Sequence, residues 1–129
     1  MLRSGIVNPN INSLLGRVRH TNLLVIADRG FPLWKEVEIV DISLADDLPR
    51  VLDVLAAIRA NFSIHRAFMA EEFNKANSAE TISNFKRGLD GIILEFEPHL
   101  DLKKRVPGAI GIIRTGDTVP YANLVLESG

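Results

Sequence analysis

The stretch "RHTNLLVIADRG" brackets an apolar run with two groups that can move protons, His20 before it and Asp28 at its end. The spacing puts His20 where a helix's negative end meets a buried strand. An imidazole there, titrating near neutral pH, could serve as acid or base, or it could simply cap helix carbonyls. Asp28, just before Gly30, could orient a histidine, accept hydrogen bonds from a hydroxylated ligand, or only form the turn. Near the C-terminus stand Tyr121, the chain's single tyrosine, and Asn123. Two residues apart on a strand, they would share a face. An amphipathic ring beside an amide that both donates and accepts suits a polyhydroxyl ligand. Alternatively, the pair ties a strand end down. Arg114, followed by Thr115 and Gly116, could hold an anion or close a turn beside such a site. On residue type alone His99, after Pro98, reads as a surface histidine and His65 as structural.

The elements that must position these groups are legible from periodicity. Asn8 and Pro9 open a helix whose apolar stripe is Ile11, Leu14, Leu15 and Val18, with His20 at its C-terminal end. "NLLVIAD" is the continuous apolar run of a strand buried on both faces. "VEIVDIS" alternates as a second strand. "DDLPRVLDVLAAIRANF" predicts a helix with Pro49 in its first turn and Leu48, Val51, Leu52, Leu55 and Ile58 on one face. "IHRAFMA" is a third strand. "NSAETISNFKRGLDG" is a helix with Asn77 and Glu80 as a capping box and Ile82, Phe85 and Leu89 as its stripe. "GIILEF" is a fourth strand, followed by a short helical turn from Pro98 to Lys104. "GAIGIIRTG" and "YANLVLE" complete the set. Helices alternating with apolar strands imply one α/β domain over residues 1–129, with a mostly parallel sheet of about six strands and helices on both faces. In such sheets ligands collect at the C-terminal ends of strands. Asp28, Asp41, Ser43, Glu71 or Glu72, and Arg114 fall at those ends.

Composition narrows the chemistry. The 129 residues are 47% hydrophobic and 24% charged, with a net charge of −1 and both signs dispersed. That is a globular chain without the basic face that nucleic acid or a membrane surface would require. There is no cysteine, which removes thiol catalysis, disulfides and thiolate-ligated metals. The three histidines are far apart in sequence, and no metal-ligand spacing is present. A dinucleotide fingerprint, a P-loop and a G-x-S-x-G elbow are all lacking. The N-terminal residues lack a signal peptide's apolar stretch, and no run approaches membrane-spanning length, so a cytoplasmic location is expected. What remains is acid–base chemistry by histidine and carboxylate, with hydroxyl-binding polar groups.

"GIVNPNINSLLGRVRHTNLLVIADRGFP", "VDISL" and "IRTGDTVPYANLVLESG" together resemble the D-ribose pyranase and L-fucose mutarotase family. The resemblance runs along nearly the whole chain and is loosest between about Val51 and Leu94. It implies an isomerase that interconverts sugar ring forms without cofactor or metal. By resemblance, His20 is the proton-transferring histidine, and Asp28, His99, Tyr121 and Asn123 bind substrate. His99 is assigned because it stands fifteen residues before Arg114, as the family's second histidine stands before its arginine. The "HT" and "PYAN" pairs are those of ribose-type members, which convert β-pyranose to β-furanose forms. Fucose-type members tend to carry Gly after the histidine and "YGN" near the end. An anomer mutarotase of L-fucose type and a non-catalytic protein accessory to sugar uptake are the alternatives. Arg19, Asn22 and Arg29 depart from the family pattern, and Arg29, with Arg114, is a candidate for contacting substrate or setting specificity. The family assembles as rings, commonly decamers of two pentamers, with sites shared between neighbours. A homo-oligomer with a monosaccharide as its partner is therefore expected.

Overall fold

The computed structural model describes residues 1–129. Its centre is a six-stranded sheet in the order β2-β5-β1-β6-β3-β4. The strands are β1 (Leu23–Ala27), β2 (Glu38–Asp41), β3 (Ile64–Ala70), β4 (Ile93–Glu97), β5 (Ala109–Arg114) and β6 (Leu124–Ser128). β1 pairs in parallel with β5, β5 with β2, and β3 with β4, while β6 runs antiparallel between β1 and β3. Five strands therefore point one way. β6 is not an edge in need of cover; it joins two parallel halves.

Helices cover both faces, unequally. α1 (Pro9–Arg17), α2 (Val51–Arg59) and α4 (Ala79–Gly88) lie on one face, together with Phe73 of the short α3 (Glu72–Ala76). Their buried Leu14, Leu55, Ile58 and Phe85 pack onto Leu24, Ile26, Met69 and Leu126 of the sheet. The other face is covered by α5 (His99–Arg105) through Leu102, by Val106 in the 3-10 turn Val106–Gly108, and by Phe31 and Val37 from the β1–β2 loop. β1 reads as a buried strand because Leu24 to Ala27 contact both layers in turn, Leu24 and Ile26 on one side, Val25 and Ala27 on the other.

Local chemistry sets the helix ends. The Asn8 side chain accepts from the Asn10 and Ile11 backbones and Pro9 takes the first turn of α1, as its sequence predicts. α1 stops at Arg17, so His20 lies in a turn beyond the helix rather than at its dipole. α2 begins at Val51, two residues later than Pro49. The preceding backbone is drawn elsewhere, since Pro49 O accepts from Gly116 N at 2.9 Å and Leu48 is exposed instead of joining the apolar stripe. The cap of α4 is Ser78, which accepts from Thr81 N at 3.2 Å; Asn77 points away to two carbonyls. No helix is long and apolar enough to cross a membrane.

Candidate active site

The end of β1 is where the chain's functional groups converge. Thr115, just past β5, donates both its N–H (2.9 Å) and its hydroxyl (2.8 Å) to Ala27 O, continuing the parallel ladder up to Asp28. Asn123, immediately before β6, accepts the Asp28 N–H at 2.8 Å through its carbonyl oxygen. That assignment leaves the Asn123 amide nitrogen as a donor. Asp28 accepts from Gly30 N at 3.0 Å, an Asx turn that swings the chain towards Phe31. Burial pushes the Asp28 carboxyl above its ordinary value of 3.8. The Gly30 N–H and the Asn123 amide oppose that rise, the Asp117 carboxylate adds to it, and His99 opposes it. Asp28 is thus a desolvated carboxylate with a readier grip on a proton than a surface aspartate.

Two rings form the opposite wall. His99, the first residue of α5, lies edge-on to Tyr121, with ring centroids 5.2 Å apart and planes at 78°. Tyr121 is not on a strand. Its φ of 57° places it in the left-handed region, in a turn closed before β6 begins at Leu124. The shared-face argument for Tyr121 and Asn123 therefore does not hold, although a tight turn brings both side chains to the same cleft. That cleft has a volume of about 280 Å³ and is lined by Asp28, Phe31, His99, Tyr121 and Asn123, among others. It sits at the C-terminal ends of the parallel strands. The other clefts, of about 250 to 260 Å³, contain no histidine.

His20 is not in this cleft. It precedes β1 while Asp28 follows it, and Thr21 N is bonded to Ser128 O at the far end of β6. The two groups lie at opposite ends of β1, so within one chain Asp28 cannot orient His20. His20 is exposed. Its turn is closed by Asn22, whose side chain accepts from Arg19 N at 2.8 Å, a structural use for one of the family departures. Arg29 turns outward to Asp46 at 2.7 Å in a largely exposed ion pair and does not line the cleft. Arg114 donates to Asp41 (3.2 Å) and to Phe31 O (2.5 Å), so it braces the turn beside the site. Asp41 itself is partly desolvated, but the Ser43 and Arg114 donors outweigh that and hold its carboxyl below the ordinary value. His65 is exposed on β3, away from the cleft.

Sequence reasoning missed several supporting residues. Asp117 is buried without a cation, accepting from Val51 N (2.9 Å) and Val119 N (2.8 Å) through its two oxygens; its own carbonyl accepts Arg29 N at 3.1 Å. It ties the start of α2 to the loop beneath Asp28. In the sequence Glu72 reads only as one of two acids at a strand end, and Asn77 only as a cap. A buried carboxylate after "TG" has no periodic signature, and these contacts span sequence separations no local pattern reports.

The comparisons fit this geometry. The D-ribose pyranase of Geobacillus kaustophilus is 36% identical over all 129 residues, covering 94% of that protein. That of Lactobacillus johnsonii is 33% identical over the same 129 residues, covering 98% of its chain. Among solved structures, Bacillus subtilis RbsD complexed with D-ribose superposes with a TM-score of 0.92 at 30% identity, covering 100% of this chain and 98% of that one. The model of the RbsD / FucU transport protein family matches residues 1–129, and the chain belongs to that family.

Proposed function

We propose that this protein is an isomerase that opens and recloses sugar rings, with D-ribose interconverted between β-pyranose and β-furanose forms, using no cofactor. The observation that carries the reading is the meeting of Asp28, His99, Tyr121 and Asn123 in one cleft, in a chain akin to D-ribose pyranases over its full length. Opening removes a proton from the anomeric hydroxyl and delivers one to the ring oxygen as the C1–O5 bond breaks. The aldehyde that forms is then attacked by the 4-hydroxyl, which loses its proton while the carbonyl oxygen gains one. Protons balance and nothing is oxidised.

Asp28 binds a hydroxyl and can accept its proton, since burial raises its affinity for one. The Asn123 amide, the Tyr121 hydroxyl and His99 hold the remaining hydroxyls. His20, the proton donor to the ring oxygen, acts in a neighbouring copy's cleft, because its own lies across the sheet. The active form is thus a homo-oligomer, a decamer by family resemblance, with sites completed between subunits. The cytoplasm is its proposed location.

NMR exchange spectroscopy of D-ribose with and without the protein tests the reading. Faster pyranose–furanose exchange for D-ribose than anomer exchange for L-fucose is expected. Binding of ribose without faster exchange would make the protein a sugar-binding accessory instead. Faster exchange of fucose alone would place it on the mutarotase side.

A further inference from the structure

The cleft's two rings are held from behind by one short helix. Glu72 opens α3 and accepts the His99 backbone N–H with both carboxylate oxygens, at 3.0 and 3.2 Å. Asn77, directly after α3, donates from Nδ2 to Phe73 O and to Pro120 O, both at 2.9 Å. Pro120 precedes Tyr121, whose left-handed φ must be maintained by its surroundings. One end of α3 therefore fixes where the His99 ring starts, and the other fixes the turn that presents Tyr121. Phe73, buried within α3 and packed against Phe85 at 4.9 Å between centroids, anchors the helix to the core. Neither Glu72 nor Asn77 lines the cleft.

The His99 ring depends on this anchorage. Its Nδ1 is buried and has no hydrogen-bond partner, so no side chain tethers the ring by that nitrogen. The ring meets Tyr121 edge-on, and the residue's backbone N–H is bonded to Glu72. A charged acceptor on a main-chain N–H is among the stronger single tethers available.

We infer that α3 is the positioning element of the sugar cleft, with Glu72 setting His99 and Asn77 setting Tyr121. This rests on the ring-exchange reading for its kinetic consequence but not for its structural one. Misplacing a binding group by about 1 Å can cost up to about 10²-fold in rate. Glu72→Ala is expected to slow ring exchange about tenfold, mostly in kcat, whereas Glu72→Gln, which keeps one acceptor oxygen, recovers most of the loss.

The test runs wild type, Glu72→Ala, Glu72→Gln, Asn77→Ala, His99→Ala and the Glu72→Ala/His99→Ala double variant side by side. The ring signals of His99, picked out among three histidines by their disappearance in His99→Ala, report position without any sugar. In Glu72→Ala they should shift and broaden, and in Glu72→Gln they should stay. Tyr121 ring signals should move in Asn77→Ala. In the exchange assay Glu72→Ala should add little once His99 is already removed. Unmoved His99 signals in a folded Glu72→Ala protein would overturn the inference, as would a full additive loss in the double variant. Should wild type fail to accelerate ribose exchange, the ring-exchange reading falls while the NMR signals still decide the role of α3.

Discussion

The opposite placement of His20 and Asp28 makes a quantitative prediction about mixed oligomers. β1 has five residues, and at roughly 3.3 Å of rise each it separates the two groups by at least about 16 Å. No rotamer of either side chain closes that gap, so a site using both must draw them from two copies. Take His20→Ala and Asp28→Asn, each expected to lose about 10²-fold in ring exchange as a proton-handling group is removed. Co-assembled at equal amounts with random placement, a site works only when its His20 comes from an Asp28→Asn copy and its Asp28 from a His20→Ala copy. Each condition holds half the time, so activity should return to about a quarter of wild type, some 25-fold above either parent. Differently tagged subunits co-expressed and purified through both tags give the mixture, native mass spectrometry confirms mixing, and NMR exchange of D-ribose reads the rate. A mixed oligomer no more active than the mean of its parents would refute the shared site. So would a His20→Ala protein with full activity.

Asp28→Asn makes a second prediction, in stability. Because burial raises the folded carboxyl above 3.8, the native protein keeps a proton that the unfolded chain has already released. Stability contributed at Asp28 is therefore present at low pH and lost as pH rises through the raised value. Asp28→Asn should melt higher than wild type at pH 7, with the difference closing as pH falls towards 3.8; a gap that is reversed or independent of pH would contradict the assignment. At Gly116 an added Cβ would press on Ala45 O and sit 2.8 Å from Leu48 O, both backbone atoms that cannot swing aside. Gly116→Ala should cost about 1–3 kcal/mol in denaturant unfolding, and a loss under 0.5 kcal/mol would show the loop to be softer than its packing suggests.

The fold was readable where burial imposes a period. The stripe of α1, the apolar run of β1 and the six strands all announce themselves through side chains that must face a core. α3 did not, because five residues with only Phe73 buried carry no helical period. The strand order was also hidden. Nothing local in "YANLVLE" says that it lies between β1 and β3, since pairing partners are chosen by the whole sheet. For the site, residue type and family likeness pointed to Asp28, His99, Tyr121 and Asn123, which the fold brings together. His20 and Asp28 flank β1 in the sequence, which already implies their separation within one chain. A residue before a five-residue strand and one after it must lie at opposite ends of that strand. Tyr121 lies off the strand because its positive φ is set by the turn around it rather than by strand propensity.

The central position of β6 also dictates an order of assembly. β1, β5 and β2 can zip together from one side, and β3 with β4 from the other, but both halves keep an open inner edge until residues 124–128 arrive. These are the last of the six strands to leave the ribosome. Between the emergence of β5 and that of β6 the nascent chain therefore carries two unpaired, apolar strand edges, a state prone to wrong pairing. The bonds from Ser128 N to Asn22 O and from Gly129 N to Ser63 O then act as a late clasp across the halves. The same strand leads directly out of the Tyr121–Asn123 turn, so the cleft lined by Asp28, His99, Tyr121 and Asn123 is completed in the same step that closes the sheet.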